Sequence, residues 1–215
     1  MIPKFDTCFF ERYAMCSLRS LLGKRYSHLV NADRPDLQDV VQGIGIEVTR
    51  AITEDKNVAN SLINEMAGRS VKEVNEDLLR IQESGYSYGL GMNYSVGSNE
   101  YNYWALALPM KRILESKLWK VNNGFYGNFK EFGLYVFTKY DLVAEEVDEI
   151  IGFMMDAQQN KEVRYDRLFI SQIDTFFDCD LRQGAFECYP INSRQRRRFY
   201  DRAVEKGKQR TEGSI

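Results

Sequence analysis

Histidine is nearly absent from this chain, since His28 is the only one among 215 residues. A Ser-His or Cys-His triad needs a histidine as its base, so any such triad would have to use His28. Cysteines are also few, and their spacing matches no C-x2-C zinc pattern. They are Cys8, Cys16, Cys179 and Cys188. We therefore expect reduced, buried thiols in a cytosolic protein, and the sequence argues against a zinc site or a triad enzyme.

Long apolar runs and nucleotide-binding loops are missing as well. No run approaches the roughly 18 apolar residues that a membrane-spanning helix needs. The N-terminal segment MIPKFDTCFFERYAM lacks the basic-then-apolar layout of a secretory signal. No G-x-x-x-x-G-K-[ST] segment occurs, which argues against a P-loop nucleotide hydrolase. We expect a cytoplasmic protein without membrane contact, and the sequence leaves its oligomeric state open.

Apolar residues make up 44% of the chain, which is enough for a substantial core, whereas charge is unevenly distributed. Residues 192–215 carry a net charge of +5, which leaves residues 1–191 at −7. We expect a single domain over residues 1–191, followed by a basic helix or tail over residues 192–215. Such a tail is compatible with nucleic acid as a partner, although a solvated terminal helix is the simpler alternative. Its candidate phosphate contacts are Arg194, Arg196, Arg197 and Arg198.

Hydrophobic periodicity predicts helices and strands that alternate along the chain. Residues 8–22 have helical spacing, and the segment IGIEVTRAI has β-branched residues without a helical stripe. Further helices are predicted at 55–68, at 70–83, from Pro109, over DLVAEEVDEIIGFMMDAQ, and from Ser193, whose hydroxyl suits an N-cap. Further strands or extended segments are predicted at YSHLVNADRPDL, FGLYVFT, YDRLFISQIDTFFDCDL and AFECYPI, with a loop at 84–104. The pattern predicts an α/β fold with a mixed central sheet flanked by helices on both faces.

A carboxylate interrupts the strand IGIEVTRAI at Glu47. Strand alternation puts Ile46 and Val48 on one face and Glu47 on the other, with Gly45 and Thr49. An ionised carboxylate in a dry core costs several kcal/mol, so Glu47 needs a cleft, a cation or a metal ion. The sequence therefore marks Glu47 as a candidate functional residue.

A second carboxylate, Asp36, lies eleven positions upstream in the segment RPD. That gap allows a turn and a return strand, which would bring Asp36 beside Glu47. Two carboxylates on adjacent strands make an oxygen-donor site suited to Mg²⁺ or Mn²⁺. The alternative is structural: Asp36 is a turn residue of the kind common after proline, and Glu47 pairs with an arginine.

The segment RPD followed by GIGIEV resembles the PD-(D/E)XK nuclease superfamily, clearly over residues 8–52 and loosely over 109–180. The resemblance implies a restriction-endonuclease-like core, a metal-binding aspartate at Asp36, the strand acid at Glu47 and a first-helix acid at Glu11. It also implies hydrolysis of nucleic-acid phosphodiester bonds with Mg²⁺ (or Mn²⁺) held by Asp36 and Glu47.

Thr49 stands where that family carries a lysine, which orients the attacking water and offsets negative charge. The lysine is supplied from elsewhere, or Arg50 reaches round although alternation points it to the opposite face, or catalysis is lost. In the last case the chain is an inactive nucleic-acid- or protein-binding domain on the same fold. The helix that begins at Pro109 offers the candidate donors Lys117, Lys111 and Lys120. We assign Lys117 to the predicted catalytic set, although its local string ESK lies in a helical pattern and is not the strand motif.

Overall fold

The computed structural model of the protein describes residues 7–50, 110–111, 113–138 and 141–211. Predicted helices 55–68 and 70–83 and the predicted loop 84–104 lie outside the described residues.

Four helices are described, each in a segment for which periodicity predicts a helix. They are α1 (Thr7–Leu21), α2 (residues 110–111 and 113–122), α3 (Ala144–Ala157) and α4 (Ser193–Thr211). A short 3-10 helix follows α1 at Gly23–Tyr26. At the start of α4, the Asn192 side chain accepts from the Gln195 amide at 2.9 Å, so Asn192 provides the cap that was predicted for Ser193.

The described residues include seven strands, which form one sheet whose spatial order follows their order in the chain. They are β1 (Val30–Asn31), β2 (Leu37–Asp39), β3 (Ile44–Arg50), β4 (Glu131–Phe137), β5 (Arg167–Ser171), β6 (Thr175–Asp180) and β7 (Ala185–Pro190). Strands β3, β4 and β5 are parallel neighbours, and the remaining neighbours are antiparallel. Parallel strands need crossover connections, and α2 and α3 lie in the chain between these pairs.

Helices cover the sheet on both faces, which confirms the predicted mixed sheet flanked by helices. On one face, here called the α2 face, Leu114 and Leu118 pack in a single cluster with Leu134 of β4 and with the apolar side of α3. On the other, the α1 face, Leu18 of α1 and Phe199 of α4 share a cluster with Tyr135 of β4.

Cys16 and Cys179 are buried free thiols as expected, but Cys188, on edge strand β7, is exposed. Among the described helices, none combines the length and the apolar composition that crossing a membrane requires.

Candidate functional site

A hairpin brings Asp36 to the middle of β3, as the spacing predicts. Strand β2 pairs antiparallel with β3, and Leu37 lies opposite Ile46. The Asp36 carboxylate accepts a hydrogen bond through Oδ2 from the Val48 amide at 2.7 Å. This bond fixes the aspartate one residue from Glu47 along β3, so the two acids share one stretch of the sheet.

Gly45 allows the hairpin to approach this closely. A Cβ atom at Gly45 would lie 2.8 Å from Cγ of Pro35 and 2.9 Å from Cγ of Phe129. Both neighbours are rings, which cannot yield as a flexible chain can. The bare backbone of Gly45 therefore lets Pro35 pack against β3, and Pro35 carries Asp36 with it.

Glu47 projects to the α2 face of the sheet and is almost completely buried. It lies in register with Leu134 of β4, a residue of the core cluster on that face. From α2, the Lys117 ammonium approaches to 2.6 Å from Oε1 of Glu47. The side chains of Lys117 and Glu47 are only 14% and 11% exposed. Glu47 therefore forms its ion pair with a lysine, whereas the structural alternative considered from the sequence expected an arginine.

The other candidate cations have different neighbours. Lys111 lies over the ring of Phe153, and Lys120 lies over the ring of Phe125. The Arg50 guanidinium stacks on a ring of α1, 4.6 Å from its centroid, and so points away from Glu47 as strand alternation predicts. Of the cations considered from the sequence, Lys117 is the one that contacts Glu47.

The electrostatic environment of Asp36 joins all four predicted catalytic residues. The pKa of Asp36 is raised to about 7, chiefly by burial and, to a smaller extent, by the negative charges of Glu47 and Glu11. The Val48 amide and the Lys117 ammonium act in the opposite direction and lower that pKa. Charges act on a carboxyl group in this way only from nearby, so Asp36, Glu47, Glu11 and Lys117 belong to one cluster.

Glu11 reaches the cluster through an asparagine of β1. The Asn31 amide nitrogen donates to Oε2 of Glu11 at 2.5 Å and to the main-chain oxygen of Asp36 at 3.3 Å. Asn31 thus links α1 to the hairpin. No local pattern predicts this role, because Asn31 belongs to no motif.

Two tyrosines, also missed from the sequence, support the Glu47–Lys117 pair. Burial raises the pKa of Tyr126, and the charge of Glu47 and a hydrogen bond to it act in the same direction, so its hydroxyl stays protonated. The Tyr165 hydroxyl donates to the main-chain oxygen of Lys117 at 3.3 Å, and burial raises the pKa of Tyr165 as well. In a sequence, aromatic residues of this kind predict core positions, and no local pattern distinguishes Tyr126 and Tyr165 from the other aromatic residues.

The predicted phosphate contacts lie on α4, and the helix divides them. Residues Ser193, Arg194, Arg197, Arg198, Asp201 and Arg202 line an open depression of about 540 Å³. Arg196 is half-buried instead and donates to the main-chain oxygen of Ile173 at 3.4 Å. Arg202, outside the predicted set, takes its place because it lies one helical turn beyond Arg198.

Comparison of the chain with protein-family models, with curated proteins and with solved structures finds no match. Within the described residues, no group of three or more His, Cys, Asp or Glu side chains is arranged to hold a metal ion.

Proposed function

We propose that this protein is a metal-dependent nuclease that hydrolyses nucleic-acid phosphodiester bonds on a restriction-endonuclease-like core. The observation that carries the proposal is the 2.6 Å contact between Lys117 and Glu47 beside the Asp36 carboxyl group. An aspartate on a hairpin, an acid inside the next strand and a lysine are the three parts that the PD-(D/E)XK resemblance requires. Lys117 of α2 would supply the cation that Thr49 cannot.

Asp36 and Glu47 would hold Mg²⁺ (or Mn²⁺). Magnesium keeps several of its waters and is typically bound by one or two carboxylates together with substrate phosphates. Two carboxylates are therefore compatible with it, although they form no closed protein cage. The metal, when bound, lowers the pKa of a coordinated water and offsets the charge of the phosphodiester.

Lys117 would orient the attacking water and offset the negative charge that develops on the phosphate. Its ammonium is already held at the carboxylates, because Glu47 accepts from it and Tyr165 fixes the main chain of α2 at that residue. A group that is placed before the substrate arrives needs little reorganisation in the reaction. Glu11 would add a further negative charge next to Asp36, linked through Asn31.

The arginines on the exposed side of α4 would contribute phosphate contacts without sequence preference. Three of them are exposed on that side, namely Arg194, Arg198 and Arg202. Arg197 forms an ion pair with Asp201, with 2.9 Å between Nε and Oδ1. Each phosphate that such a residue neutralises releases counterions, so binding through this surface would weaken as salt increases.

The test is cleavage of supercoiled plasmid, single-stranded DNA and RNA, with Mg²⁺ or Mn²⁺ and with EDTA as the blank. We expect metal-dependent cleavage that falls on the order of a hundredfold or more in Glu47→Gln and in Lys117→Met. Lys111→Met is the matched control, because Lys111 lies on the same helix but contacts Phe153.

Calorimetric titration with Mn²⁺ should show binding by the wild-type protein that is lost in Asp36→Asn. If the folded wild-type protein cleaves none of these substrates, the nuclease proposal is wrong. The chain would then be an inactive nucleic-acid- or protein-binding domain on the same fold.

A further inference from the structure

Phe125, which follows α2, is 44% exposed, unlike the aromatic residues around it. Tyr126 and Phe129 pack against the core cluster of the α2 face, and Phe132 is buried within it. Phe125 contacts Tyr126 edge-on, with ring centroids 6.2 Å apart. A lone exposed phenylalanine is ordinary, so the question is what surrounds it.

Two cations lie against this exposed ring. The Arg34 guanidinium carbon is 5.2 Å from the ring centroid, and the Lys120 ammonium is 5.5 Å from it. The Arg34 side chain is 64% exposed, and its contact with Asp33 is a long 3.9 Å pair that water screens. Arg34 is therefore available to an incoming anion.

The same three residues adjoin the carboxylate cluster. Arg34 precedes Asp36 by two residues on the hairpin, and Lys120 follows Lys117 by three residues, which places it on a neighbouring side of α2. Tyr126, next to Phe125 in the chain, interacts directly with Glu47. The hairpin and α2, which carry candidate catalytic residues, thus also carry the two cations, and the ring follows α2 directly.

We propose that Arg34, Phe125 and Lys120 form a subsite for one unpaired nucleotide, so that the substrate is single-stranded nucleic acid, either DNA or RNA. The inference rests on the nuclease function proposed above. When the strand binds, the two cations move from the ring to backbone phosphates, and the ring face that they leave stacks on a base. Aromatic stacking suits every base but requires that the base be unstacked from its neighbours, which excludes the interior of a duplex.

A protein partner would use an exposed ring differently. Two cations beside a ring, next to a site that would hold a phosphodiester, complement a polyanion whose charges recur along a backbone. An apolar protein surface would gain from Phe125 alone and would have to desolvate Arg34 and Lys120. The charge therefore favours nucleic acid as the occupant.

The test measures binding separately from cleavage. Fluorescein-labelled oligothymidylate, oligouridylate and a DNA duplex of equal length are titrated with the full chain in EDTA, and fluorescence anisotropy is recorded. We expect the wild-type protein to prefer the single strands. Phe125→Leu should weaken single-strand binding by on the order of tenfold, since it keeps the apolar volume but removes the stacking ring, while Phe125→Tyr should bind as the wild type does.

Trp119→Leu is the matched control. Trp119 is 62% exposed on α2. It follows Lys117 by two residues, which is a rotation of about 200° around the helix axis, so it points away from Lys117. Its loss should leave affinity for every oligonucleotide unchanged. Arg34→Gln and Lys120→Gln should each lower the salt dependence of single-strand binding by about one phosphate contact. The two single strands report whether DNA or RNA is preferred.

Cleavage by the same variants separates the two proposals. Cleavage by the wild type together with unchanged single-strand affinity in Phe125→Leu would overturn the subsite and leave the nuclease intact. An equal loss on single strands and duplex, or a wild type that binds no single strand, would also overturn it. Absence of cleavage, with the tenfold loss observed, would overturn the nuclease and the substrate assignment while retaining a nucleotide-binding site at Phe125.

Discussion

The Lys117 ammonium lies 2.6 Å from Oε1 of Glu47, although 70 positions separate the two residues in the chain. The pair joins α2 to the middle of β3 across the α2 face of the sheet. Because both side chains are largely buried, the contact carries structural as well as chemical consequences. Removing either charge leaves the other uncompensated in a place with little water.

Lys117→Met should lower the free energy of unfolding by about 3–5 kcal/mol, since it leaves the buried Glu47 carboxylate without a positive partner. The double variant Lys117→Met/Glu47→Leu should recover most of that loss, because apolar side chains of similar volume replace the whole pair. Denaturant unfolding of the single and double variants measures both effects. A double variant no more stable than Lys117→Met would contradict this view of the pair.

The raised pKa of Asp36 predicts that the protein becomes less stable as pH rises toward neutrality. A carboxyl group whose pKa rises on folding binds its proton more tightly in the folded state. Its contribution is fully present below the ordinary value of 3.8 and is lost as the pH passes about 7. Unfolding of the metal-free protein at about pH 5 and about pH 8 should show this decline.

Asp36→Asn is the control for that decline. The asparagine keeps an oxygen that can accept from the Val48 amide, but it does not titrate. The variant should therefore lose less stability than the wild type between the two pH values. Identical pH profiles would show that Asp36 does not hold its proton in the way the burial and neighbouring charges indicate.

Gly45→Ala should destabilise the protein by about 1–3 kcal/mol and abolish Mn²⁺ binding at Asp36. The added methyl group would collide with the rings of Pro35 and Phe129, and moving Pro35 moves Asp36. Gly152→Ala is the matched control, since a Cβ at this position of α3 meets nothing within 4 Å. That change should instead stabilise the helix by about 1 kcal/mol. Normal metal binding by Gly45→Ala would show that the packing of Pro35 against Gly45 is not needed to position Asp36.

Neutralising the exposed arginines of α4 should weaken nucleic-acid binding evenly across sequences. Arg194→Gln and Arg198→Gln should each reduce the dependence of the binding constant on salt by about one contact. Arg196→Gln should have a smaller effect on affinity, because Arg196 turns to the main chain of Ile173. Salt titrations of the three variants provide the comparison, and an effect of Arg196→Gln as large as the others would contradict it.

Local sequence determined most of the framework, because periodicity and turn chemistry act over a few residues. The β-branched run of β3, the spacing of Asp36 and Glu47, and the apolar stripe of α3 all act at that range. The antiparallel pairing of β2 with β3 followed from a short gap, and it brought Asp36 to the strand that carries Glu47.

Tertiary packing decided what no local pattern contains. Lys117 was one of three lysines on α2, and only the rotation of that helix over β3 selects it over Lys111 and Lys120. Tyr126 and Tyr165 came together from separate loops for the same reason. On α4, the buried side of the helix is the one that carries Phe199. Arg196 lies three residues before Phe199 and therefore on that side, so the helical period of apolar residues separates Arg196 from the exposed arginines. The sequence by itself thus determined which elements form and which acids they carry, whereas the cation and its neighbours depend on how helices rotate against the sheet, a long-range property of the packed core.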